Sequence, residues 1–108
     1  MRWLSFLIAL LCLGRNPAHA QQLSEENERY VQSLLDSAET LKLKNPTRSL
    51  ALSLQALEWL PEQGYETTKA FAYIKAANAE KMNSHRESAL AYAHEAMKLS
   101  ESVRDTSL

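Results

Sequence analysis

Two stretches forty residues apart share one layout: "RSLALSLQALEWLP" from Arg48 to Pro61 and "SALAYAHEAMKLSE" from Ser88 to Glu101. Leu50 aligns with Leu90, Ala51 with Ala91 and Ala56 with Ala96. Ser49 and Ser53 fall on Ala89 and Ala93, small on small, and Leu57 falls on Met97. Similarity at a period of about 20–50 residues is what stacked repeat units show. Small residues spaced by four and three let two antiparallel helix backbones approach closely, while larger ones on the next stripe reach toward a neighbouring hairpin. At the same offset, Ser33–Leu43 corresponds in place to Tyr73–Asn83, with few identities. The predicted unit is a helix, a short link and a second helix, occurring twice.

Local signals divide the chain into four helices. Ser24 caps the first, and Glu25 and Glu26 suit the positive end of its dipole. Tyr30, Val31, Leu34, Leu35, Ala38 and Leu41 form its apolar stripe, and Lys42 and Lys44 suit its carboxyl end near Lys44. Asn45 caps the second helix, with Pro46 at its first position. Leu50, Leu54, Leu57 and Leu60 line one face of it, and Pro61 ends it. "PEQGYETTK" is a turn with Gly64 as the one unrestrained residue. The third helix is predicted from about Glu66 to Met82, with Ala70, Phe71, Ile74 and Ala77 along one side. Ser84 and Glu87 read as a capping box opening the fourth, which presents Leu90, Ala93 and Met97 beside Ala89 and Ala96 and frays near Val103. No run alternates with period two. The class is all-α.

The first twenty residues read differently. "MRWLSFLIALLCLGRNPAHA" has a basic start, an apolar run from Trp3 to Leu13, a break at Gly14 and Pro17, and a small-x-small end at Ala18-His19-Ala20. That is the pattern of a secretory signal peptide cut after Ala20. The run has 11 residues, against about 20 for a membrane span. Cys12 follows Leu10 and Leu11, where lipid attachment wants small residues. Loss of Arg2 and Arg15 with the signal leaves ten basic and thirteen acidic side chains, a formal charge of −3, and no cysteine. That balance disfavours a nucleic-acid partner and excludes thiol chemistry. Residues 21–108 are enough for one small domain with marginal apolar burial.

Here the chain resembles the tetratricopeptide repeat family. That family's second helix carries small residues at spacings of four and three, then a Pro five positions on. Ser49, Ser53, Ala56 and Pro61 fit the first copy, and Ala89, Ala93 and Ala96 fit the second, where Glu101 replaces the Pro. The first-helix pattern is matched loosely by Tyr73 and Ala77 and hardly at all in copy one. The resemblance covers about Glu25 to Arg104. It implies two antiparallel hairpins stacked as a short α-solenoid, repeat one at about 25–61 and repeat two at about 65–104. A plain four-helix bundle is the competing arrangement.

Few residues invite chemistry. His85 and His94 lie nine apart on one helix and cannot share a metal as a four-residue spacing would. Glu87 beside His85 is accounted for by capping, Glu25 and Glu26 by the helix start. There is no phosphate loop and no nucleophile elbow, so no enzyme, cofactor or metal is expected. Trp59 and Tyr92 read as packing residues. By the resemblance, the first helix of each pair lines a groove that binds peptides, which makes Phe71, Ile74, Lys75, Asn78 and Lys81 the candidates. The expected function is an exported, periplasmic or secreted, non-enzymatic module that binds a protein or peptide. The alternative is the input segment of a signalling protein of histidine kinase or diguanylate cyclase type. Two units fall short of the roughly three that arrays usually need. Leu90, Met97 and Val103 are therefore expected to lack part of their cover, to be completed by further chain or by self-association.

Overall fold

The computed structural model describes residues 22–107; the expected signal peptide and its cleavage point lie outside them. Four helices follow one another: α1, Glu25–Leu41; α2, Pro46–Trp59; α3, Glu66–Met82; and α4, Arg86–Ser107. There are no strands among the described residues. Each helix packs on the next, α1 touches α3 at a few places, and the extensive neighbour of α4 is α3 alone.

The first two starts follow their local chemistry. The Asn27 amide donates to Ser24 Oγ at 3.1 Å, and the Arg48 amide donates to Asn45 Oδ1 at 3.1 Å, with Pro46 next to the cap. Each side chain satisfies an amide that the helix itself leaves unpaired. α1 ends at Leu41, three residues short of expectation, with Lys42 as its cap and its ammonium 2.6 Å from Glu39.

The other links depart from expectation. Ser84 does not open α4; it closes α3. Its φ is 64°, its amide donates to the Lys81 carbonyl at 3.0 Å, and the His85 amide donates to Glu80 at 2.8 Å. These are the paired bonds of a Schellman ending, in which Ser occupies the left-handed position that Gly usually takes. α4 then starts at Arg86 and runs beyond Val103 to Ser107. Gly64 is also not alone in its turn: Tyr65 follows it with φ 57°. A left-handed non-Gly residue costs about 1–2 kcal/mol. The Tyr65 hydroxyl offsets that cost by accepting from the Leu23 amide at 3.0 Å and donating to Glu28 at 2.5 Å. It thereby ties the start of α1 to the start of α3.

The core lies in the first hairpin. Val31, Leu34, Leu35 and Ala38 of α1, with Leu52, Ala56 and Leu60, form one cluster that Ala72 of α3 completes. The buried face of α2 is the small-residue stripe expected at the seam, joined by Leu52. Ser49, Leu52, Ser53 and Ala56 are buried, while Leu50, Leu54 and Leu57 are only partly covered. Small residues win that face because the helices meet there closely. Ser49 Oγ donates to the Ala38 carbonyl of α1 at 2.6 Å, and Ser53 Oγ donates to the Ser49 carbonyl at 2.9 Å. Both hydroxyls sit in the core without an unmet hydrogen bond, the condition for burying them.

The first and third helices correspond at an offset of forty-one, not forty. Both have 17 residues. At that offset Val31, Leu35 and Ala38 fall on Ala72, Ala76 and Ala79, all buried, and Glu39 falls on Glu80. The link between α3 and α4 is one residue shorter than that between α1 and α2, which restores forty in the second helices.

Candidate functional site

The five candidate residues occupy positions 71, 74, 75, 78 and 81 of α3, a spacing that keeps them on one side of a helix. The buried side of α3 is instead Ala70, Ala72, Ala76, Ala79 and Glu80. Phe71 and Ile74, the apolar members of the set, are 54% and 43% exposed. With a buried face made almost wholly of alanine, α3 can sit close to both neighbouring helices while its large apolar groups stay outside.

The candidates separate into two environments. Lys75 turns toward α1, where its ammonium lies 3.0 Å from Glu39. Glu39 also pairs with Lys42, and the hydrogen bonds from Lys42 and then Lys75 hold its carboxyl below the usual carboxylate range. Lys75 therefore already has a carboxylate partner. Asn78 and Lys81 instead join α4 residues in lining an open groove of about 520 Å³, with Ala77, Ala89, Leu90 and Ala93 as its apolar wall and Arg86 at its rim. Phe71 and Ile74 do not line it.

Glu39, Arg86 and Glu80 were missed by sequence reasoning. Glu80 is buried and pairs with His85 Nδ1 at 3.0 Å, so the partner of this histidine is Glu80, not Glu87. Aligning the first helices at forty-one would have flagged the Glu39–Glu80 match. His94 is exposed. The aromatic pairs join consecutive helices: Tyr30 meets Trp59 edge-on at 5.1 Å, and Tyr73 lies 6.1 Å from Tyr92. Among the described residues, no group of three or more His, Cys, Asp or Glu could hold a metal ion, and no helix is long and apolar enough to cross a membrane.

Compared with protein-family models, with curated proteins and with solved structures, the chain matches none. Its functional reading therefore stands on its own residues.

Proposed function

We propose that this chain is an exported, non-enzymatic, tetratricopeptide-like module whose two hairpins stack as a short α-solenoid and whose second hairpin binds a protein segment. One observation carries the reading. Five large apolar side chains of that hairpin, Phe71, Ile74, Met82, Leu90 and Met97, are exposed, and Leu90 lies beside Ala77, Ala89 and Ala93 in an open groove, the kind of apolar surface that marks interaction sites. The stacked arrangement draws support from the order of contacts, in which each helix packs on its successor and α4 has α3 as its extensive neighbour. A closed bundle would bring α4 back to α1.

The test is capture from an envelope extract by the purified protein, with Phe71→Asp/Ile74→Asp and Leu90→Asp/Met97→Asp variants as controls. A protein retained by the parent and lost from at least one folded variant supports the reading. Equal retention by the parent and both variants sinks it.

A further inference from the structure

The internal repeat supplies a reference for the open groove. In the first hairpin, Ser49 and Ser53 are buried and Leu50 and Leu57 are partly covered, and α2 has α3 as well as α1 packed on it. Their counterparts in the second hairpin have lost that cover: Ala89 and Ala93 are only partly buried, Leu90 is 64% exposed and Met97 59%. The α4 wall of the groove, Ala89, Leu90 and Ala93, is thus the counterpart of a covered face of α2, whereas its α3 wall, Ala77, Asn78 and Lys81, corresponds to the exposed Asp36, Ser37 and Thr40.

Three features define an occupant. Its walls are helices, whose mid-helix amides and carbonyls are bonded internally, so an extended peptide would find no main-chain edge to pair with. A helix with an apolar stripe needs none. The groove carries two exposed cations, Lys81 and Arg86, and no ion pair engages either among the described residues. Arg86 is moreover the first residue of α4, where the helix dipole disfavours positive charge; its counterpart in α2 is the uncharged Pro46. An incoming carboxylate would relieve that mismatch.

We propose that this groove receives one amphipathic α-helix of another protein, carrying carboxylates that meet Lys81 and Arg86. The proposal rests on the protein-binding reading and names its partner's chemistry. Other occupants fit less well. A second copy docked face to face brings the same two cations against the first pair. The outer side of α1 is polar, with Glu25 and Arg29 exposed and paired to each other. Residues 1–21 hold Arg2 and Arg15 and no carboxylate.

Two labelled peptides probe the groove by fluorescence anisotropy: the α3 sequence from Tyr65 to Asn83, and the same peptide with Lys75→Glu and Lys81→Glu. The acidic peptide is expected to bind the protein at least tenfold more tightly in low salt, with an advantage that shrinks as salt rises. The protein variant Lys81→Glu/Arg86→Glu should reverse the preference, and Leu90→Asp should weaken both peptides at least tenfold. All three positions are exposed, and circular dichroism checks that the variants fold. Equal binding of the two peptides, or a preference that survives the double charge reversal, overturns the groove assignment. So does a dimer in sedimentation that Leu90→Asp dissolves while neither peptide binds, which would make a second copy the occupant. Neither result touches the wider protein-binding reading, because capture from extract uses no peptide.

Discussion

The two hairpins share a pattern and do opposite things with it. In the first, Leu34, Leu35, Leu52 and Leu60 are buried around a seam of Ser49, Ser53 and Ala56. In the second, the buried side chains are mostly alanines, Ala72, Ala76, Ala79 and Ala96, and the large residues Phe71, Leu90 and Met97 are left outside. None of the residues of the main core cluster comes from α4. The difference teaches that burial here belongs to the neighbour as much as to the residue. Leu50 and Leu90 match in sequence, yet Leu50 is partly covered and Leu90 is 64% exposed. In repeat architectures each unit hides its face against the next, so one sequence pattern produces core in one place and open surface in another. The open place is where the proposed partner would bind.

The sharpest way to break this comparison is truncation on both sides of it. Leu35→Ala, in the covered hairpin, should cost about 2–5 kcal/mol, whereas Leu90→Ala should stay within about 0.5 kcal/mol. Urea unfolding measures both, and similar losses would mean that the second hairpin is covered after all. A next-largest effect comes from filling the seam. Ala56→Leu should cost about 1–3 kcal/mol by overpacking, while Ala93→Leu, facing the groove, should be nearly neutral. Equal penalties would show that both seams are closed.

The links give smaller effects. Asn45→Ala should cost about 1 kcal/mol through the lost cap. Ser84→Gly should instead stabilise by about 0.5–1 kcal/mol, since glycine adopts the left-handed conformation freely. A destabilised Ser84→Gly protein would contradict the Schellman ending and restore the capping-box reading.

Smallest of all is the pH response of the contacts that tie α1 to α3. Lys42 and Lys75 hold the Glu39 carboxyl below its usual range, so the folded state binds that proton less readily than the unfolded chain. The resulting stability is present at neutral pH and lost as pH falls through the lowered pKa. Glu39 is about half exposed, which keeps the effect below about 1 kcal/mol. Tyr65 runs the other way. Its hydrogen bond to Glu28 raises the phenol's pKa, so its contribution is complete below the usual tyrosine range and is lost as pH rises through the raised pKa. Stability titrations should show a shallower acid limb for Glu39→Gln and a shallower alkaline limb for Tyr65→Phe. Unchanged limbs would remove these contacts from the account.

Signals that act within one turn of chain were readable in advance. The four helices, the caps at Ser24 and Asn45, the stop at Pro61 and the repeat of forty in α2 and α4 need only spacing and hydrogen-bonding chemistry. The same signals misled where one residue type serves two ends. Serine can cap a helix start or close a helix in the left-handed conformation, and Ser84 does the second. The other serines were legible: Ser49 and Ser53, with Ala56, were expected where two helix backbones approach, and they are buried there. Of the candidate residues, Asn78 and Lys81 line the groove between α3 and α4 and Lys75 is engaged by Glu39, while Arg86 had no signal in the sequence.

Helix content and helix ends thus follow from covalent and hydrogen-bonding preferences of neighbouring residues, and those are written along the chain. The offset of forty-one between α1 and α3, the pairing of Lys75 with Glu39 and the left-handed close of α3 at Ser84 do not. They depend on which groups come within reach of one another, and close packing between surfaces settles that only once all four helices are in place.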